Sequence, residues 1–363
     1  MPTLMVCLDS LGYSLLTKEN TPYLYNLSKK LYKARLKTLL AFTGVEFTLF
    51  TGKSPTQHNI WLEFKYTKNS IFKIYKYLPL KNSILNYLAI LHQLLKKRTF
   101  ITKLQNIPKS LLPYFDLSTT QNIWKTSFFQ NKTFICYKWP FFVKNNKIKI
   151  DFFKKTDSQK VNKLIKNIQS NVDLYYIHLT ELDKFIHLSK IDSRETINKI
   201  KQLDNLVKHL VTYFQKYYPN LNIILWSDHN QVNIESLINI QKLMPKSKDY
   251  IAFYGGTTIS FWFKNNSIKE RIMNILKTIK QGKILTQRDR IHYQIPEREY
   301  GDLIFLIEPK YLIYPNFYQK SKPFKAMHGY APDKADLDGF LITNKRIPKI
   351  LTLEQTYKYI KDW

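Results

Sequence analysis

Three short apolar runs, each leading into acids and histidines, constrain this chain more than any other feature. Thr3-Leu-Met-Val-Cys-Leu8 is continuously apolar and stops at Asp9. Residues 171–179 (NVDLYYIHL) and 220–226 (NLNIILW) repeat the pattern and run into Glu181-Leu-Asp183 and Ser227-Asp228-His229. A strand apolar on both faces suits a parallel sheet, whose crossover helices cover both sides. Between the second and third runs, Asp192 to Tyr217 carries Ile197, Ile200, Leu203, Leu206, Val207 and Leu210 at helical spacing. Asn20 to Lys33 reads as another helix behind a Thr21-Pro22 start. Strands alternating with helices predict an α/β fold: a mostly parallel central sheet with helices on both faces. Ligands of such sheets bind beyond the carboxyl ends of the strands, where these acids and histidines fall.

The polar residues at those ends have the types that hold metal ions. Asp183 and His187 are four apart, so on a helical turn they share one face and can bind one ion. Asp228 and His229 are adjacent, and both reach one ion only where the strand breaks into a loop, a break suited to Asn230. His328 precedes Gly329, whose turn can aim the imidazole. Thr43 leads the run Thr43-Gly-Val-Glu46, where the positive end of a helix dipole and a nearby metal would help ionise its hydroxyl. Each element alone has a plain structural alternative: a surface acid–histidine pair, a strand-ending turn, a structural histidine or an N-cap threonine.

Together and in order, these elements resemble the alkaline phosphatase superfamily, in particular its nucleotide pyrophosphatase/phosphodiesterase-like branch. The carriers are Asp9, Thr43 ahead of Thr51-Gly52-Lys-Ser-Pro55-Thr-Gln-His58, Asp183 with His187, Ser227-Asp228-His229, and His328-Gly329. The resemblance implies an alkaline phosphatase-like core with two divalent ions, zinc first and manganese as the alternative. It assigns one ion to Asp183, His187 and His328, and the other to Asp9, Asp228, His229 and the Thr43 hydroxyl. Thr43 is then the nucleophile of a phosphate-ester hydrolase of phosphodiesterase or nucleotide pyrophosphatase type. Asn59 and Asn230 stand where the family has glycine. Glu46 stands where nucleotide-processing relatives often place an asparagine against a phosphoryl oxygen, so a substrate contact there meets a carboxylate. No Cys-x-Pro-x-Arg element occurs, which disfavours the sulfatase branch.

The catalytic core is expected in three pieces, 1–63, 156–262 and 326–363. They are separated by a basic, aromatic insertion or cap over 64–155 and a second cap segment over 263–325. Lys and Arg number 57 against 27 acids, a net charge of +30, which draws anions: phosphate-containing substrates, nucleotides or nucleic acid, or an anionic membrane surface. In the insertion, lysines alternate with aromatics (Phe64-Lys-Tyr, Phe72-Lys-Ile-Tyr-Lys-Tyr77, Trp124-Lys, Tyr137-Lys-Trp139). That pattern suits base stacking, a lipid-resting helix over Ser83 to Lys97, or a cap whose aromatics pack inward. Two other readings stay open: a phosphomonoesterase or phospho-group transferase on the same site, and an inactive basic binding protein. Two cysteines without a CxxC pair and no secretory leader in Met1 to Leu16 give the expectation of a cytoplasmic protein.

Overall fold

The computed structural model describes residues 1–40, 42–96, 101–118, 127–138, 141–144, 147–150, 155–319 and 321–362. From the N-terminus come β1 (Thr3–Leu8), α1 (Pro22–Lys30), β2 (Tyr32–Lys37), α2 (Thr43–Thr51) and α3 (Pro55–His58). Next are β3 (Phe64–Tyr66), α4 (Asn82–Leu95), β4 (Phe115–Leu117), β5 (Phe134–Lys138), β6 (Phe141–Lys144) and β7 (Lys147–Ile150). They lead to α5 (Asp157–Lys166), β8 (Leu174–Leu179), α6 (Glu181–Leu188), α7 (Arg194–Tyr217) and β9 (Asn222–Trp226). Then follow β10 (Val232–Asn233), β11 (Ser236–Ile238), β12 (Tyr250–Tyr254), β13 (Thr258–Phe263), α8 (Asn266–Lys277) and β14 (Gly282–Ile284). After α9 (Gln287–His292) run β15 (Leu303–Ile307), β16 (Tyr311–Ile313), β17 (Ala326–Met327), β18 (Gly339–Thr343), β19 (Ile350–Thr352) and α10 (Leu353–Ile360).

The central sheet has the order β19-β2-β18-β9-β1-β8-β5-β6-β7. Its four middle strands, β9, β1, β8 and β5, are mutually parallel, and all three apolar runs of the sequence lie among them. Because strand side chains alternate, Met5, Cys7, Tyr176, Ile224 and Trp226 join the core on one face with residues of α2 and α10. Leu4, Val6, Tyr175, Ile177, Ile223 and Leu225 join the opposite core with residues of α1, α5, α6 and α7. Burying a side chain of this kind contributes about 2 kcal/mol, so each run is fixed in register by both faces.

α7 buries Ile200, Leu203, Val207, Leu210 and Phe214, and Ser193 caps it by accepting from the Thr196 N–H. Its buried Asp204 reaches across to accept the N–H groups of Tyr23 and Leu24 at 2.8 and 2.9 Å, capping α1 from outside. The helix expected over Asn20 to Lys33 stops at Lys30. From Tyr32 the alternation of Ala34 and Leu36 with Lys33, Arg35 and Lys37 makes a strand that pairs with β18.

The 64–155 segment divides. β3 and β4 pair with each other, whereas β5 runs parallel beside β8, so residues 134–138 belong to the catalytic sheet and not to a cap. The second segment, 263–325, shares a smaller antiparallel sheet, β12-β13-β15-β14, with residues 250–263. The aromatics of β3 and β4 pack on that sheet: Phe115 on Phe253 at 5.1 Å and Tyr66 stacked on Trp262 at 5.3 Å. Phe64, Phe72, Tyr75 and Phe115 are therefore core residues, not a stacking surface for bases. Trp124 and Trp139 lie outside the described residues.

Candidate active site

Every parallel strand delivers a polar residue at its carboxyl end. β1 ends at Asp9, β9 at Ser227-Asp228-His229, β8 at the turn into α6, and β5 at Lys138. α6 then carries Asp183 and His187 one turn apart, and the loop after β17 carries His328. Of these, Asp9, Lys138, Asp183, His187, Asp228, His229 and His328 line one cavity of about 430 Å³ together with Phe42, Thr43, Glu46, Glu63 and Tyr318.

The distances form two overlapping groups. Around Asp183 Oδ1 stand His187 Nε2 at 3.4 Å and His328 Nε2 at 3.8 Å. Around His229 Nε2 stand Asp228 Oδ2 at 3.5 Å and Asp9 Oδ1 at 3.8 Å. The His229 and His328 rings stack at 3.9 Å, joining the groups. Single ligand atoms of Asp183, His229 and His328 lie within 4.8 Å of one another, and so do those of Asp9, Asp228 and His229. His229 thus faces both groups, where the resemblance had assigned it to the second alone.

Three carboxylates converging under little water repel one another. Burial raises the Asp9 carboxyl well above its ordinary range, and Asp228 and Asp183 push it further. Burial also opposes the charged form of Asp183, but His187, His328 and His229 outweigh it and hold that carboxyl low. Burial, then the neighbouring His229, keeps His328 neutral, and its Nδ1 has no hydrogen-bond partner. Imidazole nitrogens facing clustered carboxylates are a donor set that divalent cations fit. His187 Nδ1 meets the Ala326 carbonyl at 2.9 Å, which leaves Nε2 toward Asp183 as a ligand needs.

Thr43 opens α2, half-buried at the cavity wall, so the positive end of that helix faces the cavity. Glu46, one turn on, is not a lone carboxylate facing a phosphoryl oxygen. Tyr176 donates to its Oε1 at 2.8 Å, and Lys138 forms an ion pair with its Oε2. The charge repulsion expected there is answered by a lysine from β5. Burial brings that lysine down to about 7.

Four participants were not among the residues singled out in the sequence. Ser10 adopts φ +66° and is fully buried; its hydroxyl donates to Asp183 at 2.7 Å and lies 3.2 Å from His229 Nδ1. A left-handed serine costs about 1 kcal/mol, offset here by bonds that aim two site residues. Gln231 donates to Asp183 at 2.8 Å. His178, held neutral by burial, places Nε2 at hydrogen-bond distance, 3.0 Å, from Asp9 Oδ2. Lys138 is the fourth. His178 had a legible signal, since it stands in an expected strand beside the site, whereas Lys138, Ser10 and Gln231 had none.

The two asparagines at expected glycine positions differ. Asn59 does take the left-handed form, φ +56°, at the end of α3. Asn230 does not; its amide donates to Ser14 and to the Asp336 carbonyl, and Gly12 is the residue that leaves it room, since a Cβ there would lie 2.2 Å from Asn230 Cγ. Gly329 has φ +81° with a Cβ position 2.5 Å from Phe42, so only glycine turns His328 into the cavity. His58 of the Pro55–His58 turn is structural: it bonds Thr48 Oγ1 at 3.0 Å and accepts from the Ile60 N–H at 3.1 Å.

A mostly parallel α/β sheet bearing carboxylates and imidazoles for metal ions at its carboxyl edge defines a phosphohydrolase of the alkaline phosphatase-like kind. The family model described as type I phosphodiesterase / nucleotide pyrophosphatase matches residues 3–331, and the chain belongs to that family. Its fold is similar to murine ectonucleotide pyrophosphatase/phosphodiesterase 5, solved as an inactive variant in complex with AMP, with a TM-score of 0.72 at 15% identity, over 99% of this chain and 94% of that one. The human counterpart gives a TM-score of 0.70 at 16% identity with the same coverage. No curated protein sequence matches the chain.

Proposed function

We propose that the chain hydrolyses a phosphodiester or pyrophosphate bond through Thr43, with two divalent cations, zinc before manganese. The observation that carries this reading is the convergence of Asp9, Asp183, Asp228, His187, His229 and His328 on the cavity that Thr43 lines. Asp183, His187 and His328 would hold one cation, and Asp9, Asp228 and Thr43 the other, with His229 between them. Bound there, such cations lower the pKa of an alcohol and neutralise the oxygens of an in-line displacement.

The chain's own residues do the rest. The Thr43 oxygen forms its bond to phosphorus as the bond to the leaving oxygen breaks; the hydroxyl proton passes to solvent and the leaving oxygen takes one up from it. A water oxygen then displaces Thr43 from phosphorus and regenerates the hydroxyl. Placement at the first turn of α2 gives the phosphoryl anion a favourable dipole. Ser10 and Gln231 hold Asp183, and His178 holds Asp9, so neither carboxylate is free to swing toward the nucleophile. Lys138 neutralises Glu46, so the cavity floor does not repel an anionic substrate. The positive net charge supports a nucleotide or another anionic ester as the substrate. Buried, unpaired Cys7 and Cys136 support the cytoplasmic, reducing setting proposed for the chain.

Thr43→Ala tests the reading. Turnover of bis-p-nitrophenyl phosphate is expected to fall roughly a thousandfold or more, with metal content and melting temperature nearly unchanged. Undiminished turnover would move the nucleophile elsewhere. Parallel assays on p-nitrophenyl phosphate separate a diesterase from a monoesterase on the same residues.

A further inference from the structure

α4 is apolar on two sides. Leu85 and Ala89 face the core, as a helix on a small domain requires. On the opposite side Ile84, Tyr87, Leu91 and Leu95 follow helical spacing and stand in solvent, from 45% exposed at Ile84 to 75% at Tyr87. Ile74 and Tyr77, on the 3-10 turn Lys73–Tyr77, add two more exposed apolar side chains. The turn is fixed to the helix, since Tyr75 donates its hydroxyl to the Leu88 carbonyl at 3.0 Å. Scattered exposed leucines need no explanation, but a built stripe does.

Its rim is cationic. Lys73, Lys76, Lys81 and Lys96 are exposed around it. Residues 64–115 contain ten Lys or Arg (65, 68, 73, 76, 81, 96, 97, 98, 103 and 109) and no Asp or Glu. An outward apolar stripe with tyrosines, bordered by lysines and free of acids, has the chemistry of a helix lying in the headgroup plane of an anionic bilayer.

We propose that the outer face of α4, with the turn Lys73–Tyr77, docks the protein on anionic phospholipid. A second copy of the chain is the poorer occupant, because it would bring one lysine rim against another on molecules of net charge +30. The helix is also tied to the catalytic cavity. Gln93, on its inner side, donates to the Thr102 carbonyl at 2.8 Å and accepts the Thr102 N–H at 3.0 Å. Ile101, Thr102 and Gln105 line that cavity, so the docking helix is bonded to one of its walls.

The test is co-sedimentation of the full chain with vesicles of phosphatidylcholine containing roughly one-third phosphatidylglycerol, against phosphatidylcholine alone. The wild type is expected to bind the anionic vesicles at least tenfold more tightly. L91S/L95S is expected to lose that binding at least tenfold while hydrolysing a soluble chromogenic diester at the wild-type rate. Leu237→Ser, an exposed leucine elsewhere, serves as control and should bind like the wild type. Absence of vesicle binding, or equal binding by L91S/L95S, overturns the proposal. So does a wild-type dimer in size-exclusion chromatography that L91S/L95S dissociates, which would make a second copy the occupant.

Discussion

Glu63 on the cavity wall carries a carboxylate that the protein does not fully satisfy. Thr102 donates to Oε1 at 3.4 Å, while Oε2 is closed off from solvent without a hydrogen-bond partner. Burial lifts this carboxyl from an ordinary 4.5 to about 7, against smaller lowering by the Thr102 and Gln105 side chains. The folded state therefore holds the proton more tightly than the unfolded chain. The stability linked to Glu63 is complete below about pH 4.5 and is lost as pH rises through 7. Glu63→Gln keeps the Thr102 bond and removes the charge. Thermal melts from pH 4 to 8 are expected to coincide for the two proteins at the acid end and to favour the variant progressively toward pH 8. A constant difference across that range would mean that Glu63 is not the group that titrates. The sequence offered no sign of this residue, because its hydrogen-bond partner Thr102 is 39 positions away.

At the scale of elements, the legible parts were those set by local pattern. β1, β8, β9 and α7 were readable because apolar periodicity and the acids at strand ends coincide there. β2 and β5 were not: a six-residue strand with three outward basic residues resembles a helix end, and β5 earns its place only by pairing with β8. The cost of missing β5 was missing Lys138. That residue ties β5 to α2 through Glu46, with both side chains buried. Removing one partner of such a pair strands the other charge and destabilises by about 3–5 kcal/mol, whereas removing both is close to neutral. Urea unfolding of Lys138→Met should show a loss of that size, and the double variant K138M/E46Q should recover most of it. Additive losses would show that the two residues do not act as a pair.

Across the whole molecule, the site's carboxylates and imidazoles were legible from chain order, because each stands at a strand end or on the short helix that follows one. Their consequence for stability is set only by convergence. Asp9, Asp183 and Asp228 come from β1, α6 and the end of β9, three separate parts of the chain, and the unfolded state does not bring them together. Cations bound to the native arrangement alone stabilise it by RT ln(1 + [M]/Kd), about 4 kcal/mol per site at a thousandfold excess over Kd. For a chain of 363 residues that corresponds to a melting shift of about 5 °C per site. Chelation with EDTA is therefore expected to lower the melting temperature by several degrees and to abolish turnover, and added zinc or manganese to restore both. Thr43→Ala should keep most of that metal-dependent shift, since it removes one oxygen and leaves the acids and imidazoles in place. Full activity and an unchanged melt after chelation would show that the acids are not metal ligands, and the reading of the cavity as a two-cation site would fail with them.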